Sequence, residues 1–112
     1  MQNSVKNWPP FNTESARSIP QNQETWQKLA IEYTKSGYFS AAAASFEQAL
    51  SIHTEGLSEI LTNLAVVYWK MGKPEMAESC LLDALAESPE DARIWGILAK
   101  IMPFLNKNPN EN

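Results

Sequence analysis

The side chains with reactive potential are few and poorly placed for chemistry. His53 is the sole histidine and Cys80 the sole cysteine. A nucleophile and its base must lie within hydrogen-bond reach of each other, and nothing in the spacing brings these two together. His53 falls at a helix end or loop and reads as a capping or surface residue. Cys80 sits beside Leu81 in an alanine- and leucine-rich run and reads as a packed thiol. A single cysteine excludes an intrachain disulfide and a cysteine-rich metal centre, and it fits a reducing, cytoplasmic compartment. The acidic pairs Glu75/Glu78 and Glu87/Asp91 have no histidine cluster beside them, so they read as solvated charges rather than metal ligands or acid/base pairs. No GxxxxGK[ST] phosphate loop, GxGxxG fingerprint or zinc-finger spacing occurs. The expectation is a non-enzymatic chain with no cofactor and no metal.

What remains is recognition. The 112 residues carry nine Lys/Arg against thirteen Asp/Glu, a net charge of -4. Such a balance provides no global attraction for phosphate backbones or anionic lipid, so neither nucleic acid nor a membrane is an expected partner. The start, MQNSVKNWPPF, lacks the apolar run of a secretory signal, and no stretch approaches the roughly 18 apolar residues of a membrane span. With 44% hydrophobic residues the chain has material for one compact domain.

The apolar period places that material on helices. Residues 1–21, interrupted by Pro9, Pro10 and Pro20, read as a tail whose WPPF segment at 8–11 folds back onto an open end of the domain, stays disordered or binds another protein. A first helix begins near Asn22 or Gln23, turns Trp26, Leu29, Ala30 and Tyr33 to one side, and stops near Gly37. Tyr38 to Ile52 forms a second, with Ala42, Phe46, Ala49 and Leu50 inward. A third, from Leu57 or Ser58 to Met71, buries Leu61, Leu64, Ala65 and Tyr68. Pro74 opens the fourth, where a missing amide donor costs nothing; it carries Ala77, Leu81, Ala84 and Leu85 and breaks at Ser88-Pro89. A last helix from Ala92 to at least Ile101 presents Trp95, Leu98 and Ala99 before Pro103 bends or ends it.

Two of these hairpins repeat each other. Trp26, Leu29, Ala30, Tyr33, Gly37, Ala42, Phe46 and Ala49 recur at a constant offset of 35 as Leu61, Leu64, Ala65, Tyr68, Gly72, Ala77, Leu81 and Ala84. The pattern resembles the tetratricopeptide repeat, with Thr54 at the first unit's proline-like position, Pro89 closing the second, and one residue more than the usual 34 accommodated near His53–Gly56. The resemblance implies an all-α, antiparallel helix-turn-helix repeat stack, an α-α superhelix. Its repeats are about 23–56 and 58–91, its capping helix about 92–102, and together they form a domain over 22–102 followed by a polar tail at 103–112.

The resemblance also implies a protein- or peptide-binding scaffold whose first helices line a concave face. Carried onto this chain, that face holds Gln27, Ile31, Thr34 and Lys35, then Thr62, Asn63, Val66, Trp69 and Lys70, then Arg93, Gly96 and Lys100. Trp69 is the anchor candidate, with a large ring to bury and an indole donor to offer. The four cations are suited to acidic side chains or a terminal carboxylate. Some relatives hold the carboxylate end of a chaperone tail in a five-residue polar clamp. Asn63 and Arg93 match two clamp positions, whereas Gln27, Ile31 and Ile97 stand where lysine, asparagine and a basic residue are expected, which argues against that ligand. The implied roles are assembly factor, adaptor or chaperone-like subunit. The alternative is a structural homo-oligomer whose repeat surfaces cover one another.

Overall fold

The computed structural model describes residues 22–52 and 56–105. His53 and the WPPF segment lie outside the described residues. Five helices are present among them: α1 (Gln23–Ser36), α2 (Phe39–Ile52), α3 (Leu57–Lys70), α4 (Pro74–Glu87) and α5 (Ala92–Ile101), followed by a 3-10 turn at Met102–Phe104. The chain divides between Thr54 and Glu55 into two compact units, the first holding α1 and α2, the second the remaining elements.

Each unit is built on an antiparallel hairpin, and the two turn in the same way. Gly37 and Gly72 both adopt left-handed backbone, φ 85° and 78°. The amide of Gly37 donates to the Thr34 carbonyl and that of Tyr38 to Tyr33, while Gly72 donates to Trp69 and Lys73 to Tyr68. This double bond pattern satisfies the carbonyls that a helix end leaves open, and glycine carries it at no steric cost. The reversal from one helix to the next is therefore specified by local backbone chemistry.

Inside each hairpin, small residues set the distance between helices. Ala30, Ala42 and Ala49 are wholly buried in the first unit, as are Ala65, Ala77 and Ala84 at equivalent positions in the second. Tyr33 and Phe46 fill the flanks of the first crossing; Tyr68, Leu81 and Leu64 fill those of the second. The second unit extends further than the repeat pattern alone implies. Ile60 and Val67 on α3 and Ile94 and Ile101 on α5 are also buried. Leu61, expected inward, is only half-buried, as are Leu29, Leu50 and Leu85.

The starts of α3 and α5 show why two acidic groups are more than solvated charges. Gly56 precedes α3 and offers no side-chain cap, so Glu87, at the end of α4, accepts from the Ser58 amide at 2.8 Å. Ser88 donates to the Ser58 hydroxyl beside it, at 3.0 Å. Asp91 accepts from the Arg93 amide at the head of α5, at 2.9 Å. Glu87 and Asp91 are thus exposed, as expected of surface charges, and in addition cap helix starts.

The alanine crossings and the buried phenol of Tyr33 each generate a prediction. Ala65→Leu inserts volume where α3 meets α4 and should lower unfolding free energy by about 1–3 kcal/mol, measured by urea titration; an unchanged midpoint would show that the crossing has slack. Burial pushes the Tyr33 phenol up from its ordinary 10.0. The folded state then retains this proton where the unfolded chain loses it, so its contribution is complete below about pH 10 and declines as pH rises further. Tyr33→Phe should flatten that decline in a pH series of thermal melts, and an identical slope in both proteins would remove Tyr33 as its source.

Candidate functional site

The residues expected on a binding face are distributed over both units. Gln27, Ile31, Thr34 and Lys35 share one face of α1 in the first unit. Two of them are already engaged: the Thr34 hydroxyl donates to the Ala30 carbonyl at 2.8 Å, and Lys35 pairs with Glu32 at 3.7 Å, both ends well exposed. An exposed pair of this kind contributes little to stability and releases its cation readily. Thr62 is not a surface residue. It is buried, and its hydroxyl donates back to the Ser58 carbonyl.

The second unit assembles a groove. Val66, Trp69 and Lys70 from α3 face Ile97, Lys100 and Ile101 from α5 across a hollow of about 210 Å³. The two helices run side by side in the same direction, because contacts advance together along both. Arg93 Nη2 donates to Asn63 Oδ1 at 2.8 Å at one end, and Phe104 meets Trp69 at the other. The two residues that match clamp positions are therefore bonded to each other, and they tie the start of α5 to α3.

Apolar surface forms the floor of this groove and cations its rim. Lys70 and Lys100 are exposed and make no ion pair among the described residues. The local charge is thus positive on a chain whose net charge is -4. Gly96, placed on this face by the resemblance, lies on another side of α5 from Ile97 and does not line the hollow. Among the described residues, no three His, Cys, Asp or Glu side chains are grouped to hold a metal ion, and no helix is long and apolar enough to cross a membrane. Cys80 is buried.

Ile101 and Phe104, which sequence reasoning missed, complete the site. Ile101 joins Ile97, already placed at a clamp position, in the wall. Phe104 packs edge-to-face on Trp69, ring centroids 4.8 Å apart, and with Gly72 and Pro74 these two rings enclose a second hollow of about 490 Å³. Trp69 is the wall common to both hollows. Pro103 explains the position of Phe104: proline sits in the first turn of Met102–Phe104, where it tightens the chain instead of releasing it into a tail. The signal was the Met-Pro-Phe that follows Ile101.

The sequence model of the tetratricopeptide repeat matches residues 33–101, more than half of the chain. Among solved structures, a thermophilic tetratricopeptide-repeat protein of Thermus thermophilus is similar, with a TM-score of 0.68 and 27% identity over 80% of this chain. The chain spans 45% of that protein's length. No curated protein matches it.

The Trp69–Phe104 pair is directly testable. Phe104→Ala should shift the Trp69 indole resonance in a ¹⁵N–¹H spectrum while leaving those of Trp26 and Trp95 in place, and should cost about 0.5–1.5 kcal/mol of stability. An unmoved Trp69 signal would mean the rings do not meet.

Proposed function

Because the chain belongs to the tetratricopeptide repeat family, a family of protein-interaction scaffolds, we propose that its second unit captures a peptide segment of another protein in the α3–α5 groove. The observation that carries this reading is the juxtaposition of Val66, Trp69 and Lys70 with Ile97, Lys100 and Ile101. A hollow of about 210 Å³ falls below the roughly 300–1,000 Å³ of a small-molecule pocket and suits the insertion of one apolar side chain. Trp69 supplies the surface against which that side chain packs. Lys70 and Lys100 set the flanking chemistry: acidic side chains, or a terminal carboxylate, beside the anchor.

The capture is noncovalent and belongs to an adaptor or assembly role in the cytoplasm. The α1 face of Gln27, Ile31, Thr34 and Lys35 is a separate candidate surface, carried by the first unit. Arg93, held by Asn63, orients the groove's other end and offers its remaining donors to the ligand.

A displayed library of random peptides tests this reading. Selection on the intact chain should enrich sequences with one large apolar residue flanked by Asp or Glu. Trp69→Ala should weaken the selected peptide at least about tenfold with helicity preserved in circular dichroism. Equal affinity in a folded Trp69→Ala protein would reject the anchor, and enrichment of basic peptides would reject the charge assignment.

A further inference from the structure

α5 has a second exposed face, distinct from the groove. Its buried residues are Ile94, Leu98 and Ile101, and its groove residues include Ile97 and Lys100. Trp95, Ala99 and Met102 share a third side, one turn apart. They are the repeat's own positions: Trp26, Ala30 and Tyr33 on α1 recur as Leu61, Ala65 and Tyr68 on α3, and again as Trp95, Ala99 and Met102. On α1, Trp26 is 7% exposed beneath α2, whereas on α5 Trp95 is 52% and Met102 59% exposed. Ala30 and Ala65 are wholly buried, and Ala99 is exposed. α5 therefore presents the half of a helix crossing that α2 and α4 cover in the two hairpins.

We propose that this face is a self-association surface, on which α5 of a second copy of the chain packs antiparallel across a two-fold axis at Ala99. Three observations select a second copy. First, the bulky–small–bulky series Trp95, Ala99, Met102 is self-complementary. Reversal about Ala99 sets Trp95 against Met102 of the other copy, a sulfur–aromatic contact, and leaves two alanines at the point of closest approach. Second, the face is uncharged. Its own residues and its outer flank, Ala92, Gly96 and Pro103, are uncharged, and the nearest charge on this side, Asp91 one turn before Trp95, lies away from the axis at Ala99, so two copies meet without like-charge repulsion at the point of contact. The indole donor of Trp95 is already bonded to the Pro89 carbonyl at 2.8 Å, so the ring offers apolar surface only. Third, the helices that match such a face, α2 and α4, are occupied within their own hairpins, with Ala42, Ala49, Ala77, Leu81 and Ala84 fully buried.

The area sets the strength. Large side chains bury roughly 150–250 Å² each when fully covered, so two half-exposed ones with small neighbours fall well short of the ~800 Å² per partner of a standard interface. The dimer is therefore weak and populated by mass action only at high protein concentration, and the groove of each copy stays open.

Sedimentation equilibrium of the intact chain from about 10 μM to about 1 mM tests this by mass action. The mass should rise from one chain toward two across that range. Ala99→Glu should hold it at one chain throughout, with the wild-type circular dichroism spectrum. Lys70→Glu, on the groove side, should leave the rise unchanged. If Ala99→Glu loses helicity, Met102→Glu reads the same face. A mass of one chain at 1 mM, association that persists in folded Ala99→Glu and Met102→Glu proteins, or association abolished by Lys70→Glu would each overturn the proposal.

Discussion

Everything in this molecule depends on how closely two helices can approach at an alanine crossing. Ala30 on one helix and Ala42 and Ala49 on the other lie without accessible surface in the first hairpin, as do Ala65, Ala77 and Ala84 in the second. A methyl group at these points lets the backbones come together, and the neighbouring Tyr33, Phe46, Tyr68 and Leu81 then close the space on either side. The Gly37 and Gly72 turns deliver the second helix to the first with the correct polarity. Because the crossing consumes one face of α3, its other residues are left to define a surface. Val66, Trp69 and Lys70 are available to α5 for that reason.

The parts legible in the sequence were those that local chemistry or period decides. Pro74, Gly37, Gly72 and Asn22 mark helix ends because each satisfies or forgoes a particular backbone bond, and α1 opens with Asn22 accepting from the Thr25 amide at 2.7 Å. The 35-residue offset was visible because identical packing demands recur. What escaped reading depends on what lies across a gap. The last helix was read as presenting Trp95, Leu98 and Ala99 together; Leu98 is buried with Ile94 and Ile101, whereas Trp95 and Ala99 are exposed, because among the described residues no helix covers that side of α5. Glu87 was read as a surface charge because its partner, the Ser58 amide, lies 29 positions away. Phe104 was lost in an expected tail because the Pro103 turn returns it to Trp69 only in three dimensions.

The same physics divides α5 into three functions. One stripe anchors it to α3 and α4, one closes the groove, and one presents the uncovered half of a crossing. A helix at the end of a repeat series has this freedom because only part of its circumference is committed to packing. The Arg93–Asn63 bond at its start and the Phe104–Trp69 contact beyond its end hold it along α3. The groove's width is consequently a property of the fold, and its cationic rim contrasts with the acidic chain around it.

The central claim, that the α3–α5 groove is where a partner binds, is tested most directly by titrating a library-selected peptide into ¹⁵N-labelled intact chain and following every amide. The perturbed resonances should cluster at Val66–Lys70 and Ile97–Ile101, with the Trp69 indole among the most shifted. A cluster confined to the outer faces of α2 or α4, with the Trp69 indole unmoved, would contradict it.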